Sequence, residues 1–240
     1  MSYFDVTYFS HSLGKASKMI IVKPDIYSTN GVACVYQLHG YSDDSTQWSR
    51  MTSIERFAID RNIMVVMPDG GKGFYTNAIN GDSYEDHILE TVNFVDKNFN
   101  TIKDKSARAI GGLSMGGYGA MKIGLKHVDI FSSIAAHSSV IDPIEFRDNR
   151  SLMDIFGDTL QDGNNLYELA QKSASKTNLK FDCGIEDFLF YQNRKFHDFL
   201  SENKIPHVYN EFSGSHTWEY WNEHIIEALD FHVKNLNVKI

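Results

Sequence analysis

The chain has 240 residues, 42% hydrophobic and 22% charged, a composition that fits one globular domain over residues 1–240 with a well-covered core. Its formal net charge of −8 is spread over interspersed acidic and basic residues; no basic stripe is present to neutralise phosphates, which argues against a nucleic-acid partner. The longest apolar runs are far shorter than a membrane span, so no membrane partner is expected, and homo-oligomerisation is left open.

The first residues, Met1-Ser2-Tyr3-Phe4-Asp5, lack the basic region and apolar run of a secretory signal. Two cysteines, Cys34 and Cys183, fall in predicted strands and read as buried free thiols. Together these features point to the cytoplasm.

Tyr3–Phe9 and Met19–Val22 read as two short strands around a turn at Gly14. Ala33–Leu38 is a nearly continuous apolar run, as expected of a strand buried on both faces. A helix is predicted over Ser45–Asp60, then a second buried strand, Ile63–Met67, stopped by Pro68. In Tyr84–Asn98 the residues Ile88, Val92 and Val95, with Phe99 just beyond, recur at helical spacing. A strand over Ala107–Leu113 runs into a glycine-rich segment around Ser114; a helix and the strand Phe131–Ala136 follow. The strand Leu179–Cys183, the helix Leu189–Asn203, the strand His207–Phe212 and a last helix with Trp218, Trp221, Ile225 and Leu229 on its inner face complete the chain.

An antiparallel start followed by alternating strands and helices predicts a mostly parallel sheet of about eight strands with helices on both faces. The stretch Asp142–Ser175 breaks the rhythm. It reads as a small cap or an elaborated crossover, with helical patches at Ser151–Phe156 and Asn165–Lys172.

Gly112-Leu113-Ser114-Met115-Gly116 sits where a predicted strand turns into a predicted helix. In that context a G-x-S-x-G pentapeptide holds its serine on a sharp turn above the sheet edge, and the fold it implies is the α/β-hydrolase. The helix N-terminus behind the serine offers backbone N–H groups to a developing oxyanion. A serine hydroxyl needs a base, and in this fold the partners follow in the order acid, then histidine. Of ten histidines, His11, His39 and His87 precede the serine, and His127 and His137 lie before the 142–175 segment. His197, His224 and His232 fall in predicted helices, and His207 opens a strand. His216, in a loop between the last strand and the last helix, is the base the order requires.

The loop after the preceding strand offers Asp182, Glu186 and Asp187. Asp182 falls within the strand; Asp187 is the preferred acid, with Glu186 the alternative and a helix cap the competing role for Asp187. The oxyanion donors expected are the N–H of Met115 and that of Tyr41, with Gly40 as the fallback for the latter, each worth roughly 3 kcal/mol in the transition state. Gly70-Gly71-Lys72-Gly73 lacks phosphate-loop spacing and reads as a turn near the site. No histidine or cysteine pattern calls for a metal, and no cofactor is implied. Trp48, Tyr75 and Trp218 are candidates for a pocket lining, though core packing fits them equally.

His39-Gly40 with Trp48 downstream, Val66-Met67-Pro68-Asp69, and the run Gly111 to Gly119 around Ser114 resemble the esterase D-like family. That family includes S-formylglutathione hydrolases, antigen 85 mycolyltransferases and bacterial tributyrin esterases. Phe74-Tyr75-Thr76-Asn77 is similar to the tributyrin-esterase branch. The resemblance spans about Val32 to Trp221 and implies a serine carboxylesterase acting on a small short-chain ester. It maps the acid onto Asp187, the base onto His216 and the second oxyanion donor onto Tyr41. The early loop departs from that of S-formylglutathione hydrolases, which lowers but does not remove the thioesterase reading. A feruloylated or acetylated carbohydrate esterase and a sugar acyltransferase are the other enzyme readings; a non-catalytic binder is disfavoured because every triad position is filled.

Overall fold

The computed structural model describes residues 2–25, 29–146 and 150–236. Its eight strands form one sheet in the order β1-β2-β4-β3-β5-β6-β7-β8. The hairpin β1 (Ser2–Ser10) and β2 (Lys15–Lys23) is antiparallel, and β2 pairs antiparallel with β4 (Met64–Pro68). The strands β3 (Cys34–Leu38), β5 (Arg108–Leu113), β6 (Ser133–His137), β7 (Asn178–Gly184) and β8 (Val208–Phe212) continue the sheet in parallel, as does the β3–β4 pair. The hairpin turns at Gly14, whose φ of 64° suits a residue without a Cβ.

The apolar strand runs are explained by two-sided burial. Tyr36, Met64, Val66 and Ile110 face one core, while Val35, Val65, Met67 and Ala109 face the other, the alternation a strand imposes. The first core is covered by α3 (Tyr84–Asn98), α4 (Met115–Lys126), α6 (Leu166–Ser173) and α7 (Phe190–Glu202). The second is covered by α1 (Gln47–Met51), α2 (Ile54–Asp60) and α8 (Trp218–Asn235). In α3 the buried residues include Ile88, Val92 and Val95, the face the periodicity predicts. Cys34 and Cys183 are both free and buried.

The single helix predicted over Ser45–Asp60 is two helices. Thr52 is extended, its hydroxyl donates to the Trp48 carbonyl, and the Ser53 N–H donates to Asn222 Oδ1 on α8. The Thr52 bond competes with the helical ladder locally, and the bond to Asn222, far along the chain, fixes the break that ends α1. The strand predicted at Phe131–Ala136 begins later, because Phe131 still closes the turn after α4 with its N–H on the His127 carbonyl. Within the 142–175 stretch lie α5 (Arg150–Phe156) and α6, and α6 packs on α4.

One buried charge cluster joins α3 to α4. Lys122 is fully buried; its Nζ lies 2.7 Å from Glu85 Oε2 and 3.0 Å from Thr76 Oγ1. Lys126 and His127 reach the other carboxylate oxygen at 2.8 and 3.0 Å. Burial pulls the Lys122 ammonium down to about 8, partly countered by Glu85. Burial alone would raise the Glu85 carboxyl, but the hydrogen bond from His127 and the charge of Lys122 hold it well below the usual carboxylate range. Glu85→Gln is therefore expected to cost about 3–5 kcal/mol at neutral pH by leaving a buried ammonium uncompensated. A depressed carboxyl stabilises above its unfolded value and loses that contribution as the pH falls, so the gap between wild type and variant narrows below the ordinary glutamate value of 4.5. Urea unfolding of both proteins across pH 3–7 measures it; a gap that does not change with pH would contradict it.

Candidate active site

Ser114 lies between β5 and α4 with φ 54° and ψ −118°, a region that residues with side chains rarely adopt. Its N–H donates to the His137 carbonyl at 2.9 Å, and its own carbonyl accepts from Tyr118 and Val140. Close approach of the flanking backbone makes the turn sharp: a Cβ at Gly112 would run into the Gly116 carbonyl, and one at Gly116 would lie 2.5 Å from the Leu38 carbonyl oxygen and 2.6 Å from that of His39. The two glycines of the pentapeptide are therefore steric requirements, one internal to the turn and one against the end of β3.

Ser114 Oγ is 3.0 Å from His216 Nε2, and His216 Nδ1 is 2.8 Å from Asp187 Oδ2. Asp187 is buried and its other oxygen accepts the Leu189 N–H at 2.8 Å. The three side chains singled out from the sequence thus form one hydrogen-bonded line, though Asp187 and His216 come from different loops. Those loops are stitched together by backbone: the Glu186 N–H donates to the Gly214 carbonyl, and the Gly214 N–H donates to the Glu186 carboxylate at 2.6 Å. Glu186, the alternative acid, clamps the histidine loop rather than meeting the imidazole. The imidazole itself lies between Phe188 and Trp221, with ring centroids at 4.6 and 4.9 Å. The Trp221 indole N–H is tied to Ser138 Oγ.

The loop after β3 is held from several sides. His39 Nδ1 lies 2.7 Å from the Gly40 carbonyl while its Nε2 accepts from the Gly70 N–H at 2.8 Å. The hydroxyl of Tyr75 donates to the His39 carbonyl, and the Gly40 N–H donates to Asp43 Oδ2 at 3.1 Å. That bond occupies the N–H of Gly40, the fallback oxyanion donor expected from the sequence. Asp43 is half-buried, and desolvation raises its carboxyl above the ordinary value.

Asp182, read as lying within a strand, does so and takes a different partner. It sits 2.9 Å from His137 Nδ1 and accepts the Tyr220 hydroxyl at 2.9 Å, entirely inside the protein. His137 precedes the 142–175 segment, ahead of the position the chain order gives the base; the register His137↔Asp182 between β6 and β7 brings the pair together. Among the pocket candidates, Trp48 is core, its indole N–H donating to the Leu38 carbonyl, and Tyr75 is core beneath the oxyanion loop. Trp218 does line a cavity. Gly70–Gly73 is a turn against the site, packed on Tyr75 and Tyr84.

Two cavities meet at Ser114. The larger, about 500 Å³, is lined among others by Gly40, Asp43, Met51, His216, Trp218 and Glu219. The smaller, about 200 Å³, is mainly apolar and lined by Phe74, Val140, Phe146 and Leu152, the last from α5. Tyr41 and Phe188 border both.

A serine on a strained turn at the carboxyl edge of a sheet ordered this way, with a histidine and a carboxylate from later loops, defines an α/β-hydrolase. Residues 10–232 match the family described as "Esterase: Putative esterase". The chain belongs to that family and is a carboxylic ester hydrolase. It is 28% identical to an acetyl esterase of Caldicellulosiruptor saccharolyticus, covering 96% of this chain and 98% of that one. Fluorophosphonate-binding serine hydrolase F of Staphylococcus aureus superposes with a TM-score of 0.91 at 29% identity, covering 97% and 98% of the two chains. The S-formylglutathione hydrolase of the same organism gives 0.88 at 29% identity with the same coverage. Among the described residues no helix is long and apolar enough to cross a membrane.

Gly116→Ala should push on the Leu38 and His39 carbonyls that lead into the oxyanion loop. Overpacking of this kind costs about 1–3 kcal/mol of stability, and displacing the loop should lower kcat by about 100-fold, within the range seen for loss of an oxyanion donor. Melting curves and turnover of p-nitrophenyl acetate read the two effects; unchanged kcat would show that the close approach is not required.

Proposed function

We propose that the protein hydrolyses short-chain acyl esters in two steps through an acyl-enzyme on Ser114. The observation that carries the reading is the continuous hydrogen-bonded line from Ser114 Oγ through His216 to Asp187. Ser114 Oγ attacks the ester carbonyl while His216 Nε2 takes its proton, and Asp187 fixes the imidazole tautomer and stabilises its charged form. The carbonyl oxygen, now an oxyanion, accepts from the N–H groups of Met115 and Tyr41. The imidazolium hands its proton to the departing alcohol, and a water activated by the same histidine then releases the acid.

The short-acyl preference is supported by the smaller cavity: its apolar lining suits a hydrocarbon chain and its size suits a short one. Tributyrin carries such chains, and the acetyl esterase relative is named for the shortest of them after formyl. The S-formylglutathione hydrolase relative keeps a thioester substrate as the second reading. The substrate is a small molecule, and we infer that the protein works in the cytoplasm, where its two buried thiols would stay reduced.

Ser114→Ala is expected to lower kcat by on the order of 10⁶-fold without unfolding the protein. Asp187→Asn should cost about 10⁴-fold, the loss measured when a triad aspartate is so changed, and Glu186→Gln, which keeps its acceptor oxygen, far less. Equal losses at 186 and 187 would contradict the division between a loop clamp and a triad acid. In a series of p-nitrophenyl esters the optimum should fall at short chains, and Leu152→Ala, which opens the smaller cavity, should move it to longer ones. An optimum unaffected by that change would assign the acyl group elsewhere.

A further inference from the structure

The two cavities at Ser114 are chemically unlike, and the position of His216 decides what each one takes. His216 lines the larger cavity and does not line the smaller. An imidazolium can protonate a leaving atom only within hydrogen-bond reach of Nε2. The leaving group therefore departs through the larger cavity, and the smaller keeps the acyl chain.

The ionisable side chains on the larger cavity, apart from His216 and Tyr41, are Asp43 and Glu219. Both are carboxylates, and among the described residues no lysine or arginine lines it. Lys72 lies over the Tyr41 ring, its Nζ 5.1 Å from the ring centroid. The rest of the lining is neutral: Ser42 and Thr217 carry hydroxyls, and Met51, Trp218 and Trp221 give apolar and aromatic surface. Glu219 is exposed in the first turn of α8, where its charge is also favoured by the helix N-terminus. The net charge of −8 adds a field of the same sign.

We propose that Asp43 and Glu219 make the leaving-group cavity an electrostatic filter that admits esters of uncharged or cationic alcohols and thiols and disfavours anionic ones. This rests on the esterase reading and narrows it. Glutathione carries two carboxylates and one ammonium, so a glutathione thioester brings a net negative leaving group into this cavity, whereas a glycerol or sugar ester brings none. Two carboxylates in a wet cleft repel an entering anion by about tenfold in kcat/KM, and added salt screens the effect.

The test uses three acetyl thioesters, of N-acetylcysteamine (neutral), 3-mercaptopropionate (anionic) and glutathione, on wild type, Glu219→Gln and Glu219→Lys. Intrinsic reactivity cancels when each variant is divided by wild type for the same substrate. The response of the neutral substrate in each variant is the reference against which the anionic ones are read. The anionic ones should rise about 3-fold with Glu219→Gln and about 10-fold with Glu219→Lys, and 0.5 M salt should remove most of the gain. A succinyl monothioester of N-acetylcysteamine, with its charge on the acyl side, should respond much less. An anionic-to-neutral ratio that does not change in either variant overturns the filter, as does a larger response from the succinyl substrate. Failure of wild type to turn over even the neutral thioester and p-nitrophenyl acetate would instead overturn the esterase reading itself.

Discussion

A serine held at φ 54° and ψ −118° persists only where its neighbours leave the backbone no cheaper path. At Ser114 that restraint is supplied by glycine-backed contacts ahead of it and behind it, and by the His137 carbonyl that takes its N–H. The strain is of order 1–3 kcal/mol, and it lifts the hydroxyl clear of the sheet edge while leaving the start of α4 facing the same space. Gly116 also brings α4 against the end of β3, so one contact sets both the Ser114 turn and the start of the loop after β3. Every other feature of the site is arranged around that point.

The supports reach well beyond the turn. Lys122, buried in α4, donates to Thr76, which follows the positive-φ residues Phe74 and Tyr75. Phe74 lines the smaller cavity, and the Tyr75 hydroxyl holds the His39 carbonyl. Glu85 compensates Lys122, so a charge cluster with no part in bond-making holds the wall of one cavity and the floor of the oxyanion loop. On the opposite side, the reciprocal bonds between Glu186 and Gly214 keep the acid and histidine loops at a fixed separation. A site assembled from four separate loops gains its precision from these second contacts.

The buried His137–Asp182–Tyr220 group shows why carboxylates and imidazoles are hard to rank from a sequence. It repeats the chemical pairing of Asp187 with His216 a few residues away, but it faces the core covered by α1, α2 and α8, where Tyr220 and Trp48 enclose it. Chain order alone favours Asp187 and His216 over this pair. Order cannot tell that Asp182 has a structural partner, because that depends on the register of two strands 45 residues apart in sequence.

Local signals determined a good part of this protein. Apolar runs bounded by Pro and Gly marked the strands, a three-four spacing marked α3, and the pentapeptide around Ser114 marked the turn, because burial and backbone conformation act on neighbouring residues. The break at Thr52 and Ser53 has no such local mark, since one of the bonds that ends α1 comes from Asn222, far along the chain. Tertiary structure alone decided that Glu186 clamps a loop, that Gly40 spends its N–H on Asp43, and that Trp48 and Tyr75 support the site from the core while Trp218 lines it. It also decided that Asp43 and Glu219 line one cavity. The physical reason is common to all of these: a side chain's role is set by the atoms within about 3–4 Å of it, and for these residues many of those atoms belong to segments distant in sequence.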